Sequence, residues 1–280
     1  MRLSIAPLFS LILGLLPFVF ALKTPGYAAE QDPCAARYNT RTALTLSPLW
    51  PTPDWQIVNA PKNNENLGLS ADGKRLTVQY PAGSINPRNT DAPPGGLEFL
   101  ALVGMPADAT AACLGYDVMV PTGFQFGKGG KLPGLYGVKT SNPAAWPASG
   151  CRSGAENQGF SARYMWREGG AGAVYVYAPG KQENCGIYYG KGSFTLVPGQ
   201  TQRLTQEIRL NTPGKADGVL NVWVDGELVF TEQAFIWRET GDIMLRGLFF
   251  STFFGGKSPD WASPQTQSLE FGGFAVYYDN

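Results

Sequence analysis

Apolar residues along this chain recur mainly at every second position, in short stretches set between Gly, Pro and Asn clusters. Residues 74–80 (Lys-Arg-Leu-Thr-Val-Gln-Tyr), 96–102, 112–120, 202–211, 243–254 and 268–278 follow this pattern or run apolar and aromatic throughout, and residues 186–190 and 192–197 are shorter versions of it. Period-two alternation bounded by turn residues predicts strands. Residues 218–230 predict a hairpin, because Asp225-Gly226 between two alternating runs suits a tight turn. No stretch keeps a 3.6-residue apolar period. About a dozen short strands without helices predict a single all-β sandwich. Residues 35–66, with much Pro, Asn and Trp and little periodicity, read as an extended wrap. Residues 82–95 read as a polar loop. Residues 122–137 are too glycine-rich for a helix and read as a loop that holds Lys128 and Lys131 where backbone can approach a ligand closely.

One predicted hairpin stands apart from the others in its chemistry. Gly159-Phe-Ser-Ala-Arg-Tyr-Met-Trp-Arg and Val174-Tyr-Val-Tyr flank a Gly-rich break at residues 168–172. Side chains alternate between faces, so Ser161, Arg163 and Met165 share one face of the first strand, and Tyr175 and Tyr177 one face of the second. A turn centred near Gly170 sets Arg163 opposite Tyr177 and Met165 opposite Tyr175, with all the polar groups on a single face. Buried polar groups need partners, so a serine, a guanidinium and two phenols together suit the floor of a polar groove better than a core.

Composition narrows the chemistry available to that groove. The 280 residues contain no histidine, which excludes Ser-His-Asp and Cys-His catalysis and His-ligated zinc. Proton transfer then falls to Tyr, Lys, Asp, Glu, Cys or Arg. Lys plus Arg and Asp plus Glu are equal at 22 each, so no global field recruits nucleic acid, and a charged ligand must be recognised locally. Residues 1–29 place Arg2 before an apolar run and end in Gly26-Tyr27-Ala28-Ala29, the layout of a signal peptide. No later stretch is apolar enough to span a bilayer, so a secreted or periplasmic protein with no stable membrane insertion after cleavage is expected. Export makes Cys34, Cys113, Cys151 and Cys185 a disulfide framework. Of three pairings, Cys151 with Cys185, closing the hairpin segment, and Cys34 with Cys113, pinning the N-terminal wrap, are favoured, although spacing does not fix connectivity.

The motifs Gly129-Gly-Lys-Leu-Pro-Gly-Leu-Tyr136, Phe160-Ser-Ala-Arg163 with Met165-Trp166, Val174-Tyr-Val-Tyr177, and Phe250-Ser-Thr-Phe-Phe-Gly-Gly256 with Trp261-Ala262 together resemble the alginate and glucuronan lyases of polysaccharide lyase family 14. The resemblance covers roughly residues 95–280, leaving 30–94 as the wrap. It implies a single-domain jelly-roll β-sandwich whose concave sheet binds an acidic polysaccharide and cleaves it by β-elimination; separately from the resemblance, a monomer is expected. It implies catalytic roles for Lys131, Ser161, Arg163, Tyr175 and Tyr177, with Lys128, Tyr136 and Arg163 contacting substrate; Lys128 remains an alternative to Lys131. The chemistry agrees. Arg163 forking onto a uronate carboxylate, with Ser161 as a further donor, stabilises the enolate-like transition state formed when the C5 proton leaves. Neighbouring Lys and Arg charges favour a phenolate, so one tyrosine acts as base and the same or the other protonates the leaving oxygen. No metal or organic cofactor is needed. Two other readings compete: a non-catalytic secreted carbohydrate-binding jelly roll, and a hydrolase. The latter requires two carboxylates at glycosidase separation, whereas Glu156, Glu168 and Glu183 supply no obvious inward pair.

Overall fold

The computed structural model describes residues 32–151, 159–179, 185–256 and 258–279. The expected signal peptide, Glu156 and Glu183 lie outside them. Fourteen strands form two antiparallel sheets of a jelly-roll β-sandwich. The outer sheet runs β12 (Glu227–Phe235), β11 (Gly218–Val224), β10 (Gln200–Arg209), β5 (Ala111–Val120), β14 (Gln267–Tyr278), β3 (Arg75–Tyr80), β2 (Leu67–Leu69), with β1 (Thr40–Ala43) on the end of β14 beyond β3. The groove sheet runs β4 (Leu97–Ala101), β13 (Ile243–Phe254), β6 (Gly129–Lys139), β7 (Gly159–Arg167), β8 (Gly172–Tyr177), β9 (Ile187–Tyr189).

Alternation explains the layers. On β7, Phe160, Ala162, Tyr164 and Trp166 enter the core between the sheets, so Ser161, Arg163 and Met165 must point away from it. The Asp225-Gly226 hairpin forms as the sequence predicts, with Val224 opposite Glu227. Two expectations fail. Residues 192–197 form no strand; Phe194 and Leu196 plug the core from a loop whose Phe194 carbonyl accepts from Gly172 N–H at 2.8 Å. The second half of the expected loop 122–137 belongs instead to the long strand β6, Gly129–Lys139, near the middle of the groove sheet. Its glycines mark close approach rather than a break: a Cβ on Gly130 would enter the Trp166 ring, and one on Gly137 the Phe160 ring.

Both disulfides join segments distant in sequence. Cys34 pairs with Cys113 on β5, anchoring the N-terminal wrap to the outer sheet, and Cys151 pairs with Cys185. Beside the first bond, Asp32 takes hydrogen bonds from Arg203 and from the Tyr277 hydroxyl.

Candidate active site

The face of the groove sheet turned away from the core is half covered and half open. Val58 from the wrap and Ala145 and Trp146 from the loop after β6 close over Leu100, Tyr136, Val138 and Phe249. The other half is a cavity of about 570 Å³ whose floor includes Glu98 from β4, Lys131 from β6, Arg163 and Met165 from β7, and Tyr175 and Tyr177 from β8. Its walls come from residues 86–91 and 149–151 and from Gly255, Gly256 and Trp261, with Tyr188 from β9.

The hairpin pairs Ser161 with Tyr177, Arg163 with Tyr175 and Met165 with Ala173. This differs by two residues from the expected register, because a 3₁₀ turn over Glu168–Gly170 lets Gly172 pair with Trp166. A slip of two preserves the face. Arg163 and both tyrosines therefore share the cavity as the alternation requires.

Arg163 is 3% exposed. Its Nη1 donates to Ser251 Oγ at 3.0 Å, Ser251 donates to Glu98 Oε1 at 2.8 Å, and Glu98 lies 3.9 Å from the guanidinium. Glu98 thus compensates a charge that burial would otherwise make costly. Arg163 stacks over Phe249 at 4.6 Å, and its Nε has no hydrogen-bond partner among the described residues. Neither Glu98 nor Ser251 was assigned a role from sequence; both face the groove by strand alternation, but their contact joins positions 153 residues apart.

Lys131 Nζ sits 4.0 Å from the centroid of the Tyr175 ring and 3.9 Å from Met165 Sδ, with no ion pair among the described residues. Burial, reinforced by the charges of Arg163 and Arg167, holds this amine well below the usual lysine range. Tyr175 is pushed the other way. Burial, followed by the charge and hydrogen bonding of Tyr177, raises its phenol well above the ordinary tyrosine value, and Arg163 opposes this only weakly. The expected phenolate is therefore corrected for Tyr175: desolvation outweighs the nearby cation and keeps its proton on. Tyr177 accepts a hydrogen bond from the Cys151 N–H at 3.2 Å and directs its own hydrogen toward the Cys151 sulfur at 3.7 Å, which, being disulfide-bonded, can only accept.

Three residues expected to serve the site are placed elsewhere. Ser161 shares the face but is fully buried and spends its hydroxyl hydrogen on the Ala148 carbonyl at 2.6 Å, because the loop after β6 lies on top of it. The same cover buries Tyr136, so it cannot contact a substrate. Lys128 lies outside the cavity, exposed and paired with Asp260, which removes it as the alternative to Lys131.

With this geometry in view, residues 69–274 match the family model for polysaccharide lyase 14. The chain belongs to polysaccharide lyase family 14. The match begins in β2, upstream of the motifs that carry the resemblance in sequence. Among solved structures, the family 14 chain is similar to the marine PL-14 alginate lyase from Aplysia kurodai, at 29% identity and a TM-score of 0.67 over 79% of this chain and 90% of that one. It is similar also to alginate lyase vAL-1 from Chlorella virus, at 26% identity and a TM-score of 0.67 over 81% and 93%. Exolysin of Paramecium bursaria Chlorella virus 1 is 26% identical over 188 residues, a match covering 58% of this chain but 28% of exolysin. The family 14 chain therefore spans little more than a quarter of that relative.

The Cys151–Cys185 bond borders the cavity of this family 14 chain and closes a separation of 34 residues. Replacing both cysteines by serine is expected to cost about 4 kcal/mol on the chain-entropy view, and to weaken turnover by loosening the Cys151 amide that holds the Tyr177 hydroxyl. Urea unfolding of the double variant beside wild type measures the first effect; unchanged midpoint and turnover together would remove both roles.

Proposed function

We propose that this family 14 protein is a secreted lyase that cleaves an acidic polyuronate of the alginate or glucuronan class by β-elimination. The observation that carries this reading is the pairing on one groove floor of a buried arginine, held by Glu98 and Ser251, with a lysine whose amine tends to be neutral and a tyrosine that keeps its proton. Arg163 takes the carboxylate of the reacting uronate and offsets charge that moves onto it in the transition state. The Lys131 amine accepts the C5 proton and becomes an ammonium. The C4–O bond breaks as the C4–C5 double bond forms, and Tyr175 gives its proton to the departing oxygen; water returns both groups to their starting states. Tyr177, fixed through Cys151, holds Tyr175 in place. Cleavage outside the cell is consistent with the two disulfides.

Mixing purified protein with polymannuronate, polyguluronate and polyglucuronate and following ultraviolet absorbance tests the reading, because elimination creates an unsaturated, absorbing end and hydrolysis does not. Absorbance should grow with at least one polymer. Chain shortening without absorbance would make the protein a hydrolase, and binding without shortening a carbohydrate-binding module.

A further inference from the structure

Outside the floor, the cavity holds a cation for which the mechanism has no use. Residues 86–91 form one wall, in a segment pinned to the loop after β13: Asn86 Nδ2 donates to the Gly256 carbonyl at 2.6 Å, Gly83 N–H to Ser263 O at 2.8 Å, and Ser263 N–H to Ser84 O at 2.9 Å. Within this wall the Arg88 amide donates to Asn86 Oδ1 at 3.2 Å. Its guanidinium reaches across to the opposite wall and lies against Gly150, filling space that a Cβ there would occupy. Arg88 is exposed and lines the cavity. Asp91 lines it too. Other cations near the site are engaged: Arg163 with Glu98, Lys128 with Asp260, and Arg167 over the rings of Trp261 and Tyr188. Arg88 has no acidic or aromatic partner among the described residues.

We propose that Arg88 is a second carboxylate anchor, gripping a uronate unit adjacent to the one bound by Arg163. The inference rests on an acidic polymer being the ligand. A polyuronate carries a carboxylate on every sugar, so seating one on Arg163 delivers a neighbour to the same cavity. A guanidinium presents paired donors that match a carboxylate, and one already braced against backbone loses less freedom on binding than a free surface arginine. Because Arg88 stays in contact with solvent, its attraction is screened by salt.

The test compares wild type with Arg88→Gln and Arg88→Lys in two measurements: mobility in gels containing each of the three polyuronates, and steady-state turnover on polymer and on a uronate trimer. Arg88→Gln should raise KM about tenfold for the polymer and for the trimer alike, since both supply the adjacent carboxylate, with kcat changed less than threefold, and should flatten the salt dependence of KM. Arg88→Lys should fall between. The thermal midpoint should be unchanged, since the side chain is exposed. Equal polymer mobility and equal KM for wild type and Arg88→Gln would overturn the proposal, as would failure of wild type to be retarded by any polymer. If wild type is retarded but never generates absorbance, the lyase reading falls, and weaker retardation of Arg88→Gln still establishes the anchor.

Discussion

Arg163→Lys is expected to lower kcat on a polyuronate by about two to three decades while leaving the fold intact, the loss seen when a preorganised oxyanion donor is removed. The substitution keeps a positive charge beside Glu98, so the buried carboxylate is not stranded. What it removes is shape. The guanidinium is fixed by Ser251 on one side and by the Phe249 ring beneath, with Nε unpartnered among the described residues. An ammonium on a flexible stem cannot keep the Ser251 contact and fork onto a carboxylate together. Steady-state kinetics by ultraviolet absorbance, with thermal unfolding alongside, separate the effects. A kcat within threefold of wild type would mean that Arg163 does not carry the developing charge.

Lys131→Met and Tyr175→Phe are each expected to cost about two to four decades in turnover, the range for loss of a general base or acid. Wild-type kcat/KM should rise with pH as the Lys131 amine loses its proton, with a midpoint well below the ordinary lysine value of about 10.4, and fall only at alkaline pH where the Tyr175 phenol ionises. Lys131→Met should abolish the rising limb. Stability follows pH in the same sense as activity. The native chain holds the amine below its unfolded value, so between the two values the unfolded chain binds more protons and wild-type stability rises with pH. The Met variant, which buries no cation, lacks that slope and should be at least as stable at neutral pH. If Tyr177→Phe rather than Lys131→Met removes the rising limb, Tyr177 is the base.

Strand alternation made most of this site legible. The pattern 161-163-165 against 175-177 put Arg163 and both tyrosines on one face, and a two-residue error in register left that face unchanged. Alternation does not reveal what lies on top of a face. Ser161 and Tyr136 obey the same parity as Arg163, yet the loop after β6 buries them, a long-range contact with no local signature. Lys131 was assigned to a loop because Gly129, Gly130, Gly134 and Gly137 read as breaks; the aromatic rings that fill the space above two of them, Trp166 and Phe160, belong to the next strand. Phenol ionisation was misjudged for a related reason. Nearby cations are visible in sequence, but the depth of burial that outweighs them at Tyr175 is not.

The floor of the groove is built on hydrogen-bonded strands, whereas its walls come from loops that supply residues 86–91, residues 149–151, and Gly255, Gly256 and Trp261. Reaction and preference are thus encoded in separate parts of the chain. Loops tolerate exchange far better than central strands, so grafting a different wall between β3 and β4 offers a way to retarget the protein to polymers of another charge spacing while its proton-transfer machinery stays in place.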